Sequence, residues 1–176
     1  MQPKFPIYIQ GENIFSNSNK AFSIQDSKNL GEKSNNKITY SEFEAFYLFE
    51  TNQAKIIKTK PLSEEQIIKE FSKKDKEFSI KYPVFKALRK KAYIVKTGSK
   101  FGTEFRVYSS SKNLNDFSAS HPHAKYLVFP IKQSEKLNLH ELISKTRIAH
   151  STAKKLLLAI VDKEDVLFYE IDWLKI

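Results

Sequence analysis

The 176-residue chain contains no cysteine and only four glycines. Without thiols it can form no disulfide, no thiol nucleophile and no thiolate metal site, a composition expected of a soluble intracellular protein. Scarce glycine leaves no phosphate-cradling loop: Gly98-x-x-x-Gly102 lacks the rest of a Walker pattern and reads as a turn. No apolar run reaches the 18 or so residues a transmembrane helix needs. The start, Met1-Gln2-Pro3-Lys4-Phe5-Pro6-Ile7-Tyr8, has no signal-peptide core. The expectation is a cytoplasmic protein with no membrane contact. Neither a His-Glu-x-x-His zinc pattern nor a serine nucleophile elbow is present. His121-x-His123 offers two imidazoles in extended spacing, but no third ligand accompanies them, so neither metal nor cofactor is expected.

Positive charge is what the chain has in excess, with a formal net of +10. Residues 1–80 hold 12 basic and 11 acidic side chains, whereas residues 81–176 hold 18 and nine. The second half therefore carries almost all of the surplus. A lysine-rich solvated face would account for it, and so would a polyanion partner such as nucleic acid.

Hydrophobic spacing and turn chemistry divide the chain in the same place. The first 40 residues alternate short apolar stretches with Asn, Ser and Lys, and read as short strands and turns. Ser41 with Glu44, and Ser63 with Gln66, are capping-box spacings that open two helices. Ala54 to Lys58 reads as a strand between them. The charged run Lys73-Lys74-Asp75-Lys76-Glu77 is the expected joint. Beyond it, Tyr82-Pro83-Val84-Phe85 leads into a short helix over Lys86 to Ala92. Strands follow at Tyr93 to Thr97, Phe101 to Tyr108 and Lys125 to Phe129. Leu139 to Ile143 supplies a helical turn or two, Ser151 to Leu158 a further helix, and Ala159–Val161 with Val166–Trp173 a closing hairpin. The fold class is α+β: a small N-terminal α/β domain (1–78) and a C-terminal domain (79–176) with a central mixed sheet flanked by helices.

One segment breaks a local rule. With Ser151 as N-cap, Lys154 and Lys155 fall in the first turn of the expected helix, at the positive end of its dipole. A bound phosphate would resolve the conflict; two solvated lysines would tolerate it at small cost. All four histidines, His121, His123, His140 and His150, lie in the basic half. His123 stands where a polar loop meets a strand, a position suited to proton transfer near neutral pH. Tyr108 ends the strand that enters the same loop; by residue type alone, among eight tyrosines, a core or rim aromatic is the commoner role.

These residues, taken in order, resemble the tRNA-intron endonuclease family. The resemblance runs through Tyr82-Pro83-Val84-Phe85-Lys86-Ala87-Leu88-Arg89, Tyr93-Ile94-Val95-Lys96-Thr97-Gly98 and Phe105-Arg106-Val107-Tyr108. It continues through His123-Ala124-Lys125-Tyr126-Leu127-Val128, Arg147-Ile148-Ala149-His150-Ser151, Lys154-Lys155 and Ala159-Ile160-Val161-Asp162. The N-terminal half is similar only through Glu44-Ala45-Phe46-Tyr47-Leu48 and the helix start at Pro61-Leu62-Ser63. The resemblance implies a catalytic triad of Tyr108, His123 and Lys154. It implies metal-independent cleavage of precursor tRNA at a bulge-helix-bulge, leaving a 2′,3′-cyclic phosphate and a 5′-OH, the reaction of a tRNA-intron lyase. It further implies a clamp on a bulged base, with Arg147 as the cation and Tyr169 or Trp173 as the planar partner from another subunit. The family works as tetramers, so the implied partners are a second copy of the chain and, in a heterotetramer, a structural subunit; a homotetramer is the other arrangement. The loop Pro130 to Asn138, which docks between subunits in the family, carries a single acid, Glu135, beside Lys132 and Lys136. That weak acidity favours the heterotetramer. The rival readings are a non-catalytic structural subunit of the same enzyme and a plain RNA-binding module.

Overall fold

The computed structural model describes residues 3–98, 104–110 and 123–174. His121, Gly102 and most of the serine-rich loop after Tyr108 lie outside the described residues. The chain divides into two compact units, Met1–Ser79 and Ile80–Ile176. With helices and a mixed sheet in each, the fold is α+β as expected. Among the described residues no helix is long and apolar enough to cross a membrane.

The first unit is built on a five-stranded sheet. Its strands are β1 (Phe5–Gln10), β2 (Asn13–Ser16), β3 (Glu32–Ser34), β4 (Lys37–Thr39) and β5 (Ala54–Ile57), ordered β3-β4-β2-β1-β5. Only β1 and β5 run parallel. Alternation drives it: Phe5, Ile7 and Ile9 of β1 are all buried while their neighbours are not. Both capping boxes form, at Ser41 before α2 (Glu42–Glu50) and at Ser63 before α3 (Glu64–Lys74). Helix α1 (Asn19–Lys28) is absent from the sequence reading. It buries only Ala21 and Ile24, a stripe too narrow to show a helical period, and no Glu or Gln answers its N-cap Ser18. Phe78 stacks on Phe43 at 5.4 Å and meets Phe46 and Phe71 edge-on at 5.6 Å, closing the core.

In the second unit α4 (Phe78–Lys90) starts eight residues earlier than expected and keeps Pro83 inside it. The proline forgoes one helical hydrogen bond, but Tyr82, Val84, Phe85 and Leu88 are all buried, and that burial outweighs the loss. The sheet has the order β10-β9-β8-β7-β6. Its strands are β6 (Tyr93–Thr97), β7 (Phe105–Ser110), β8 (Tyr126–Lys132), β9 (Lys155–Asp162) and β10 (Asp165–Ile171). All neighbours are antiparallel except β8 and β9, which α5 (Leu139–Ser151) connects as a crossover. Strand β8 takes in Pro130 to Lys132, so the expected loop over 130–138 is shorter than read. The closing hairpin turns at Lys163-Glu164, with Lys163 at φ 55°.

The largest departure lies between α5 and β9. The sequence reading has a helix beginning at Ser151; the structure has one ending there and a strand from Lys155. Thr152 is the C-cap and Ala153 is left-handed at φ 54°. The Ala153 amide donates to His150 O at 3.0 Å and the Lys154 amide to Ala149 O at 2.8 Å. These two bonds are the Schellman closure of a helix, usually announced by glycine at the left-handed position. Here alanine occupies it, so the stop signal is missing from the sequence. Leu156 to Ala159 are then buried, as an inner strand requires.

Candidate active site

The three triad candidates lie near three strand ends. Tyr108 stands two residues before the end of β7 rather than at it as expected, and His123 and Lys154 stand just ahead of β8 and β9. The sheet topology gathers those ends on one edge. Because β7 and β8 are antiparallel, the end of β7 lies beside the start of β8. Because β8 and β9 are parallel, the start of β8 lies beside the start of β9. Two backbone hydrogen bonds link the segments in series. Lys125 N donates to Val107 O at 2.7 Å, and Lys155 N donates to Lys125 O at 3.1 Å. Tyr108 follows Val107, His123 stands two residues before Lys125, and Lys154 immediately precedes Lys155.

Tyr108 is mostly buried at 9% exposure, paired with Ile94 of β6 and packed with Ile94 and Ala124 in a small apolar cluster. That cluster seats the residue next to His123 against Tyr108. The imidazole of His123 is exposed. Lys154 is half-buried, and its ammonium donates to Thr152 O at 2.7 Å. The expected conflict between Lys154 and a helix dipole does not exist. Lys154 stands past the C-terminus of α5, where a cation is favoured and where free carbonyls accept its protons. Lys155 belongs to a strand.

Arg147 is exposed in the last turns of α5, with His150 one turn further on the same helix face. The Trp173 ring meets His150 at 5.1 Å, nearly edge-on. Tyr169 stands opposite Leu158 on the outer strand β10 and is about half exposed. Among the described residues there is no group of three metal-ligating side chains.

A second constellation borders the same edge, and the sequence reading passed over it. Tyr126 pairs with Lys155 across the β8–β9 ladder, and Lys155 forms an ion pair with Glu170 of β10. Lys125 turns its ammonium over the Tyr126 ring, 5.0 Å from its centre. A hydrogen bond from Lys155, and then one from Tyr126, hold the Glu170 carboxyl below the ordinary carboxylate range. Glu170 in turn raises Lys155, while the Tyr126 hydroxyl raises Lys125.

Residues 78–169 match the family described as tRNA intron endonuclease, catalytic C-terminal domain. Over 99% of both chains the protein is 35% identical to a tRNA-splicing endonuclease of Pyrococcus abyssi. It is 37% identical to the tRNA-splicing endonuclease of Nanoarchaeum equitans, over 75% of this chain and 86% of that one. With the tRNA-splicing endonuclease of Methanococcus vannielii the identity is 33%, over 97% and 95%. The chain belongs to the tRNA intron endonuclease family. The matched stretch holds Tyr108, His123, Arg147, Lys154 and Tyr169; Trp173 lies beyond it. Every strand of the second unit's sheet falls within the matched stretch except the last two residues of β10, so the family's catalytic domain and the sheet that carries the candidate edge coincide.

Proposed function

We propose that the protein is the catalytic subunit of a tRNA-splicing endonuclease, cutting precursor tRNA at the junctions of a bulge-helix-bulge. The observation that carries this reading is the convergence of Tyr108, His123 and Lys154 on one sheet edge through two backbone bonds. Tyr108 removes the proton of the RNA 2′-OH, which attacks the neighbouring phosphorus. His123, exposed at the edge, gives a proton to the departing 5′-oxygen. Lys154 stabilises the negative charge that builds on the phosphorane oxygens. The P–O5′ bond breaks as the P–O2′ bond forms, so the products are a 2′,3′-cyclic phosphate and a 5′-OH. No step consumes water, metal or redox equivalents. Recognition rests on RNA shape and unstacked bulge bases, and the charge surplus of the second half suits the phosphate backbone.

The clamp proposed for the bulge base pairs Arg147 with Tyr169 or Trp173 of another subunit, which makes assembly part of the activity. The proposed assembly is a heterotetramer with a structural subunit, and the alternative is a homotetramer. The test incubates the purified chain, alone and with any partner subunit, with a bulge-helix-bulge RNA and analyses the product ends. Cleavage to cyclic phosphate and 5′-OH in the presence of EDTA is expected. His123→Ala should lower the rate by about 10²–10⁴-fold while RNA binding persists. A fully active His123→Ala protein, or strict dependence on added divalent metal, would overturn the mechanism.

A further inference from the structure

Tyr108 stands at an irregularity in the ladder that carries it. The β6–β7 register runs evenly from Thr97↔Phe105 to Ile94↔Tyr108, but the next pair is Tyr93↔Ser110. Strand β7 thus advances two residues where β6 advances one, and Ser109 is the additional residue of a β-bulge. A bulge bends its strand, increases the local twist and re-aims the side chains beside it. The side chain beside this one is Tyr108, which packs with Ile94 and Ala124.

The β6 side of the bulge is fixed from α4. Arg89, in the last turn of that helix, is buried, and its Nη1 donates to Tyr93 O at 3.0 Å. The Arg89 carbonyl accepts the Ala92 N–H at 2.9 Å, and Ala92 is left-handed at φ 63°. One residue therefore helps to close the helix with its backbone and reaches forward to the first residue of β6 with its side chain. Among the described residues β6 is an outer strand of the sheet, with β7 as its strand neighbour. The guanidinium adds a restraint that the sheet itself does not supply.

Stability alone accounts poorly for this arrangement. A regular ladder needs neither the additional residue nor a cation taken out of water, and burying a guanidinium is costly. Both departures fall beside the proposed general base, and breaks of local rules concentrate at functional sites. We propose that Arg89 is a positioning residue for Tyr108, holding Tyr93 so that the bulge orients Tyr108 toward the RNA 2′-OH. The inference rests on the proposed endonuclease function. Arg89 touches neither the substrate nor the reacting atoms; it acts through Tyr93 and the bulge.

The test measures cleavage of a bulge-helix-bulge RNA by Arg89→Gln, Arg89→Lys and a chain lacking Ser109, each with any partner subunit supplied. Binding is read separately on RNA with 2′-deoxy substitutions at both junctions, which cannot cyclise. Arg89→Gln and the deletion should lower kcat by about 10–100-fold, the effect of misplacing a reacting group by an ångström or less, with KM and RNA affinity little changed. Arg89→Lys keeps a donor but not the planar fork, and should recover part of the rate. In a Tyr108→Phe background Arg89→Gln should bring little further loss, because nothing is left for it to position. Arg106→Gln is the control: its Nε donates to Thr97 O at 3.1 Å, at the other end of the same strand pair, and kcat should stay as it is. A full Arg89→Gln loss on top of Tyr108→Phe, or an equal loss in Arg106→Gln, would overturn the inference by assigning the effect to the sheet as a whole. Full activity in the three variants, or loss of RNA binding in all of them, would overturn it too. Any of these results, with a parent that cleaves, leaves the proposed function standing. A parent chain that never cleaves, even with its partner subunit, overturns the proposed function and this inference with it.

Discussion

The Lys155 amide donates to the Lys125 carbonyl at 3.1 Å, and this one parallel-strand bond holds the segment after His123 beside the segment after Lys154. Around it gather four cationic or proton-transferring side chains, His123, Lys125, Lys154 and Lys155, from parts of the sequence some 30 residues apart. The bond exists because α5 carries the chain back over the sheet and delivers β9 parallel to β8.

Lys154 should be indispensable for chemistry and nearly dispensable for folding. Its half-buried ammonium donates to Thr152 O, and a charged hydrogen bond of this kind contributes about 1.5 kcal/mol to stability. Lys154→Ala should lower single-turnover cleavage by about 10²–10³-fold, the usual effect of removing one group that stabilises an oxyanion. Thermal unfolding followed by circular dichroism should shift by only a few degrees. A large loss of stability with little loss of rate would reverse the assignment.

Ala153 sits at φ 54°, in the left-handed region, at the position where helices favour glycine. Ala153→Gly removes the Cβ strain there, which is partly offset by the greater freedom of glycine in the unfolded chain. A net gain of about 0.5 kcal/mol is expected, measured as a higher urea midpoint. Ala153→Val should do the opposite, since a β-branched residue fits that region poorly.

Tyr40 predicts an alkaline effect on the first unit. Its hydroxyl is buried and has no hydrogen-bond partner among the described residues. Burial, and then the Glu44 charge, push the phenol well above its ordinary value. A raised folded pKa means the folded state holds the proton more tightly than the unfolded chain. The associated stability is complete below about pH 10, the unfolded value, and is lost as the pH rises beyond it. Tyr40→Phe should be neutral or stabilising by about 1 kcal/mol at neutral pH. Its urea midpoint should also fall less than the parent's between about pH 9 and pH 11.

Arg147 and the two aromatic candidates for the clamp can be separated by their surroundings. Trp173 already meets His150 of its own chain, whereas Tyr169 stands on the outer strand β10, about half exposed. Arg147→Ala and Tyr169→Ala should each lower cleavage about tenfold, as the loss of one cation–π or base stack of 1–3 kcal/mol implies. Trp173→Ala should cost less. On an RNA whose bulge base is abasic, the Arg147→Ala effect should vanish; persistence of the full effect would detach Arg147 from the base.

Much of this architecture is legible from local chemistry. The capping boxes at Ser41 and Ser63, the alternation in β1 and the turn at Lys163-Glu164 each depend on residues within a few positions of one another. What the sequence conceals has a particular cause in each place. Ala153 stands in for the glycine that would mark the end of α5, and so Ser151 reads as a beginning. Pro83 mimics a helix entry because its cost shows in the sequence while the burial that offsets it does not. The narrow apolar stripe of α1 leaves no period to read.

The sequence by itself determined the α+β class and the basic second half, and offered Tyr108, His123, Lys154 and Arg147 as candidates, because residue type and motif order are local properties. Only the tertiary structure decided where Lys154 stands relative to a helix, and that Lys125, Lys155 and Glu170 join the same edge. Parallel pairing of β8 with β9 is a long-range event. It depends on a 13-residue crossover helix closing correctly at a left-handed alanine, and no neighbouring residue announces it.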